Sequence, residues 1–101
     1  MWKVNFLHSA QDDLDQIIAW IANESGSVEI ALDFADTLAE RCAAIGAQDF
    51  KLGRSCPELG AGLYQINQVN YLIFVRYHDD RMDVVNILEG HRDIGALFEA
   101  D

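Results

Sequence analysis

The sequence is short of several things at once. Its 101 residues hold one proline, two cysteines and only seven Lys plus Arg against seventeen Asp plus Glu, a formal net charge of −10. Cys42 and Cys56 lie far apart, with neither the CxxC spacing of a zinc site nor the density of a disulfide scaffold, so they read as reduced thiols. No apolar run approaches the roughly 20 residues that a membrane-spanning helix needs. The opening Met-Trp-Lys-Val-Asn-Phe-Leu-His turns polar too early for a signal peptide, so a cytoplasmic protein with no membrane association is expected. The scarcity of cations excludes a general phosphate-backbone binder, because such binding rests on Lys and Arg neutralising phosphates. The acidic groups concentrate in the first half, at Asp12, Asp13, Asp15, Glu29, Asp33, Asp36 and Glu40. No direct nucleic-acid binding is expected from this balance, and a protein partner is what it leaves.

About half of the residues are hydrophobic, enough for one core in a single domain over residues 1–101 and too few for two. Trp2, Val4 and Phe6 alternate with Lys3, Asn5 and Leu7, the period of a strand with one side buried. Ser9 stands where an N-cap belongs, with Asp12 in the capping-box position and acidic residues in the first turn. Leu14, Ile17, Ile18 and Ile21 then keep helical spacing, with Asp13, Asp15, Gln16 and Asn23 facing away. Ser25-Gly26-Ser27 predicts a tight turn between two antiparallel helices. The second helix carries the stripe Ala31, Phe34, Ala35, Leu38, Cys42 and Ile45, ends near Gly46, and has Arg41 in its last turns.

Residues Gln48 to Gly62 contain Pro57, Gly53, Gly60 and Gly62 and read as a connecting segment. Leu63–Ile66, Tyr71–His78 and Met82–Leu88 are rich in β-branched and aromatic residues, broken at Asn67-Gln68 and Asp79-Asp80, which predicts an antiparallel meander. The middle strand is apolar on both faces and belongs at the centre, with the helical hairpin covering one face. Gly90 ends the last strand, and Ile94, Leu97 and Phe98 suggest a short C-terminal element. The expected fold is α+β, β-α-α-β-β-β, a helical hairpin packed on a small antiparallel sheet.

Few residues here have the setting that catalysis requires. His91 has a pKa suited to a general base, but no nucleophile or second base is tied to it by spacing. His8 precedes a helix cap and His78 a hairpin turn, so neither is read as a metal ligand. Cys56 as a nucleophile would need cations beside it, and only Arg54 is close in sequence. Neither catalytic residue, metal nor cofactor is expected.

An ordered set of residues adds a resemblance. Ala10, Asp13-Leu14 and Ile17 open the first helix; Ile21-Ala22 precede Ser25-Gly26-Ser27; Ala31, Phe34, Leu38 and Arg41-Cys42 follow. Then come Gly53-Arg54, Pro57-Glu58-Leu59, Gly62-Leu63, Tyr71-Leu72-Ile73-Phe74 with Arg76, and Gly90 with Arg92-Asp93-Ile94. In this set the chain resembles the ParE toxins of bacterial toxin–antitoxin modules, within the ParE/RelE superfamily. The resemblance implies a RelE/ParE-like fold and a toxin that inhibits DNA gyrase by binding it, neutralised by a cognate antitoxin whose C-terminal segment wraps its surface. Related RelE toxins cut ribosome-bound mRNA with clustered basic residues, and this chain departs from the usual pattern toward fewer of them. Cys56, Tyr64, Asn86 and Glu89 stand where the family commonly carries basic groups or histidine. Three readings follow: a non-catalytic ParE-like toxin, a detoxified antitoxin-binding relative, and a RelE-like endonuclease. Candidate contacts to antitoxin or target are Trp20, as an exposed aromatic or one packed under the first strand or the C-terminal tail, and Arg54, Glu58, Arg76 and Arg92. The arginines suit bidentate carboxylate pairing or internal salt bridges.

Overall fold

The computed structural model describes residues 1–68 and 70–90. The elements are β1 (Lys3–Phe6), α1 (His8–Ser25), α2 (Val28–Gly46), β2 (Arg54–Ser55), β3 (Leu63–Gln68), β4 (Tyr71–His78) and β5 (Arg81–Glu89). The strands form one five-stranded sheet in the order β1-β5-β4-β3-β2, with β4 in the middle as the run of apolar residues on both its faces requires.

The sheet is mixed, which corrects the expectation of an antiparallel one. Lys3 to Phe6 pair in parallel with Arg81 to Val84, because the chain leaves β1 into the helical hairpin and not into a tight turn. The meander from β3 to β5 is antiparallel as expected. Asn67 and Gln68 do not break it: β3 runs on to pair Gln68 with Tyr71. The connecting segment contributes one strand, the two-residue β2, whose Arg54 and Ser55 pair with Gln65 and Tyr64 at the sheet edge. At the second hairpin Asp79 takes φ 54°, a left-handed conformation that Asp tolerates better than most residues.

The turn between the helices forms as its sequence predicts. Gly26 ends α1 at φ 70°, and Ser27 caps α2 by accepting a hydrogen bond from Ile30 N at 3.2 Å. The start of α1 departs from the capping-box expectation. Leu7 holds the N-cap position without a side-chain bond, and Ser9, one residue inside the helix, donates its hydroxyl to Val85 O at 2.5 Å.

Both helical stripes face the sheet. Ala10, Leu14, Leu38, Cys42 and Ile45 are buried with Ile66, Ile73, Val75, Tyr77, Met82, Val84 and Ile87 in one cluster. Fully burying a side chain of this size is worth about 1.5–3 kcal/mol. A second cluster on the opposite sheet face joins Leu63, Phe74 and Leu88, with Leu59, Leu72 and Val85 packed against it. Gly46 lets β1 lie against the end of α2. Trp2 N donates to Gly46 O at 2.6 Å, and a Cβ at this position would come 2.5 Å from Val4 Cγ2. The expected C-terminal element of Ile94, Leu97 and Phe98 lies outside the described residues, as do His91 and Arg92.

Candidate partner-binding site

β1 pairs with β5 only as far as Val84, and what happens beyond that residue organises the site. In β5, Asn86 stands opposite Phe74 and Val84 opposite Val75, so Val85 is an extra residue, a β-bulge. With β1 ended, helix α1 supplies partners for the exposed strand edge. Ser9 takes Val85 O, and one carboxylate oxygen of Asp13, Oδ2, accepts from both Asn86 Nδ2 at 2.9 Å and Ile87 N at 3.0 Å. Asp13 therefore turns toward the sheet, contrary to the helical-wheel expectation that it faces solvent.

Past this staple the helix and the strand diverge around a cavity of about 310 Å³. Its walls are Asp13, Gln16, Ile17 and Trp20 of α1 and Tyr71, Ile87, Leu88 and Glu89 of the sheet. Trp20 is 57% exposed, as the reading of it as an exposed aromatic expects; the C-terminal tail of the rival reading lies outside the described residues. Tyr71 packs against Phe34 with the rings tilted at 53° and their centroids 5.1 Å apart, and it pairs across the strands with Glu89. Burial, and then the charge of Glu89, push the Tyr71 hydroxyl above its ordinary pKa. Val28, Ile30 and Leu32 of α2 are also large apolar residues left at least half exposed, so the hairpin presents apolar side chains to solvent. Of these exposed apolar residues Trp20 alone lines the cavity, and single exposed apolar residues are ordinary on a protein surface.

The remaining candidates are dispersed. Arg54 and Glu58 come together beside the edge strand, with Nη1 and Oε1 4.0 Å apart. Arg54 also donates to Gln65 Oε1 at 3.1 Å, so both ends of this pair stay at the surface but engaged. Arg76 pins the segment before β3 by donating Nε to Ala61 O at 2.8 Å, a backbone anchor that sequence reading could not distinguish from a carboxylate partner.

One cluster escaped the sequence reading: His78, Arg81 and Asp83 are near neighbours across a hairpin, and Asn5 joins them from the far end of the chain. Asp83 is buried and accepts from Asn5 at 3.0 Å and from Arg81 at 2.8 Å, with His78 Nε2 3.1 Å away. Burial alone would raise its carboxyl pKa; the bonds from Asn5, Arg81 and His78 outweigh that and hold it below the ordinary carboxylate range. The alternation of Asn5 with Val4 and Phe6 was the available signal that it shares the face of Asp83.

The positions that depart from the basic family pattern have mostly become structural. Cys56 is fully buried, its thiol 3.2 Å from Arg54 O. Tyr64 packs edge-on against Tyr77 at 5.4 Å, and Tyr77 clamps Leu52 by accepting from its N–H and donating to its carbonyl. Asn86 holds Asp13. Only Glu89 of the four is exposed.

A helical hairpin on a mixed five-stranded sheet, with a cavity between α1 and β5 lined in part by aromatic and acidic residues, defines a small α+β module. The family model described as "ParE toxin of type II toxin-antitoxin system, parDE" matches residues 4–94, and the chain belongs to that family. Among solved structures it is similar to a chain of the chromosomal ParDE toxin–antitoxin system from P. aeruginosa. The TM-score is 0.71 at 19% identity, covering 88% of this chain and 96% of that one, a likeness of fold. No curated protein matches the sequence. Among the described residues no helix is long and apolar enough to cross a membrane.

Proposed function

We propose that this chain is the toxin of a type II toxin–antitoxin module, acting in the cytoplasm by binding a protein target, DNA gyrase, and neutralised by a cognate antitoxin segment laid across the helical hairpin and the adjoining cavity. The observation that carries the reading, beside family membership, is Trp20, 57% exposed and in the wall of that cavity, with Val28, Ile30 and Leu32 further exposed apolar residues on α2. An intramolecular role would have buried these side chains; a partner that covers them gains their transfer free energy. Binding without catalysis fits the state of the cations. Among the described residues Lys3 pairs with Asp80, Arg54 with Glu58 and Arg81 with Asp83, and Arg76 Nε donates to Ala61 O; Lys51 and Arg41, whose Nε is buried, are the described cations outside these contacts, few for the phosphorane charge and proton transfer that cleaving RNA requires. Arg54, Glu58, Arg76 and Arg92 are proposed as peripheral contacts to antitoxin or target.

The test is expression with and without the small protein encoded beside this gene. Growth arrest that its co-expression relieves, with the two proteins co-purifying, is the expected result; an unaffected culture and no complex would remove the reading. A detoxified binder is the second reading, favoured by the structural use of Cys56, Tyr64 and Asn86. It predicts the complex without the arrest.

A further inference from the structure

We infer that the cavity between α1 and the end of β5 is a receptor for one guanidinium group, an arginine side chain projecting from the antitoxin segment. The carrier's identity rests on the toxin–antitoxin reading; the chemistry of the cavity does not.

Asp13 uses only Oδ2 to staple Asn86 and Ile87, and its Oδ1 accepts no hydrogen bond among the described residues. Glu89 lines the opposite side and is paired with no cation among the described residues. It stands directly across the strands from Tyr71. Two carboxylates from two different elements thus border a space of about 310 Å³ whose other lining residues are Gln16, Ile17, Trp20, Tyr71, Ile87 and Leu88.

Each alternative occupant fits worse. An apolar side chain would desolvate two carboxylates without compensating them. An anion would meet both charges and the field of a chain with net charge −10. A metal ion would want more donors than two carboxylates, and no grouping of three or more metal-ligating side chains occurs among the described residues. A lysine could meet one carboxylate as a point charge. Arginine has a planar face to lie on an aromatic ring and five N–H donors, so it can serve carboxylates on both sides at once while stacking.

The test uses the full chain. Amide and indole NMR signals are followed while N-acetyl-arginine methylamide is added, against the citrulline analogue, which keeps the shape and loses the charge. The arginine compound is expected to shift the Trp20 indole and the Ile87, Leu88 and Glu89 amides saturably, with shifts that shrink at high salt, and citrulline to shift them little. Glu89→Gln and Trp20→Ala, at exposed positions that should leave the thermal midpoint unchanged, should each weaken binding about tenfold, or about 1.4 kcal/mol. Equal responses to the two compounds, or none, would overturn the inference. With the neighbouring gene's antitoxin, one arginine-to-methionine change should weaken the complex at least tenfold, and Trp20→Ala should add little further in that background. An antitoxin that binds tightly but shows no such coupling at any arginine overturns the receptor and leaves the toxin–antitoxin reading standing. Failure of the antitoxin to bind at all removes that reading, and the small-compound titration still decides the chemistry of the cavity.

Discussion

Replacing Asp13 with alanine tests whether α1 and the bulged end of β5 are held together by one carboxylate. In the native protein Asp13 Oδ2 accepts from the Ile87 amide and the Asn86 side chain, on a strand edge that β1 no longer covers. Alanine would leave both donors without that partner. Stranding a part-buried donor costs about 1–3 kcal/mol, and for a domain near 100 residues each kcal/mol moves the thermal midpoint by about 4–8 °C. Asp13→Ala should therefore lower the midpoint by roughly 5–20 °C. Asp13→Asn, which keeps one carbonyl acceptor, should cost about half as much. Circular dichroism melts give the midpoints, and hydrogen exchange gives the local readout: the Ile87 amide should exchange markedly faster in the alanine variant, while the Ile73 amide at the sheet centre tracks global stability only. An unchanged midpoint together with unchanged exchange at Ile87 would refute the staple.

Other expectations follow from the same geometry. Asp83 has a depressed folded-state pKa, so its stabilisation is present above its unfolded value of about 3.9 and is lost as pH falls through the folded value. Urea midpoints of Asp83→Asn should accordingly be lower than wild type at pH 7 and converge with it in acid; a constant gap would count against the cluster. Cys42, whose thiol burial pushes up to about 11, and buried Cys56 should both resist iodoacetamide at pH 8 until the chain is denatured, and rapid labelling of the native protein would contradict their placement. Leu38→Ala should cost about 2–5 kcal/mol in denaturant melts, since Leu38 is 1% exposed in the core. Restoring a basic residue at Cys56 should destabilise by at least about 3 kcal/mol because the charge would be buried, whereas Glu89→His should leave stability nearly unchanged; equal behaviour of the two variants would refute the distinction between structural and surface positions.

The fold was legible wherever a local rule governed it. Both helical stripes, the Ser25-Gly26-Ser27 turn and the central place of Tyr71–His78 follow from periodicity and turn chemistry, and each is observed. What periodicity missed depends on long-range partners. The parallel pairing of β1 with β5, the two-residue β2 and the bulge at Val85 leave no mark within a window of adjacent residues. Asp13 illustrates the limit: its place on the helical wheel says solvent, and only the premature end of β1 turns it inward. Trp20 was legible as an aromatic off the apolar stripe, but the cavity beside it needed Glu89 and Tyr71, which lie far along the chain. Ser9 had a cap's chemistry and used it on a strand carbonyl instead.

The most direct test of the central claim is DNA supercoiling by purified gyrase in the presence of this protein, folded and freed of antitoxin. Inhibition that the neighbouring gene's antitoxin relieves, and that Trp20→Ala makes harder to relieve, is the expected result. Uninhibited supercoiling, from folded protein that also forms no complex with that antitoxin, would contradict it.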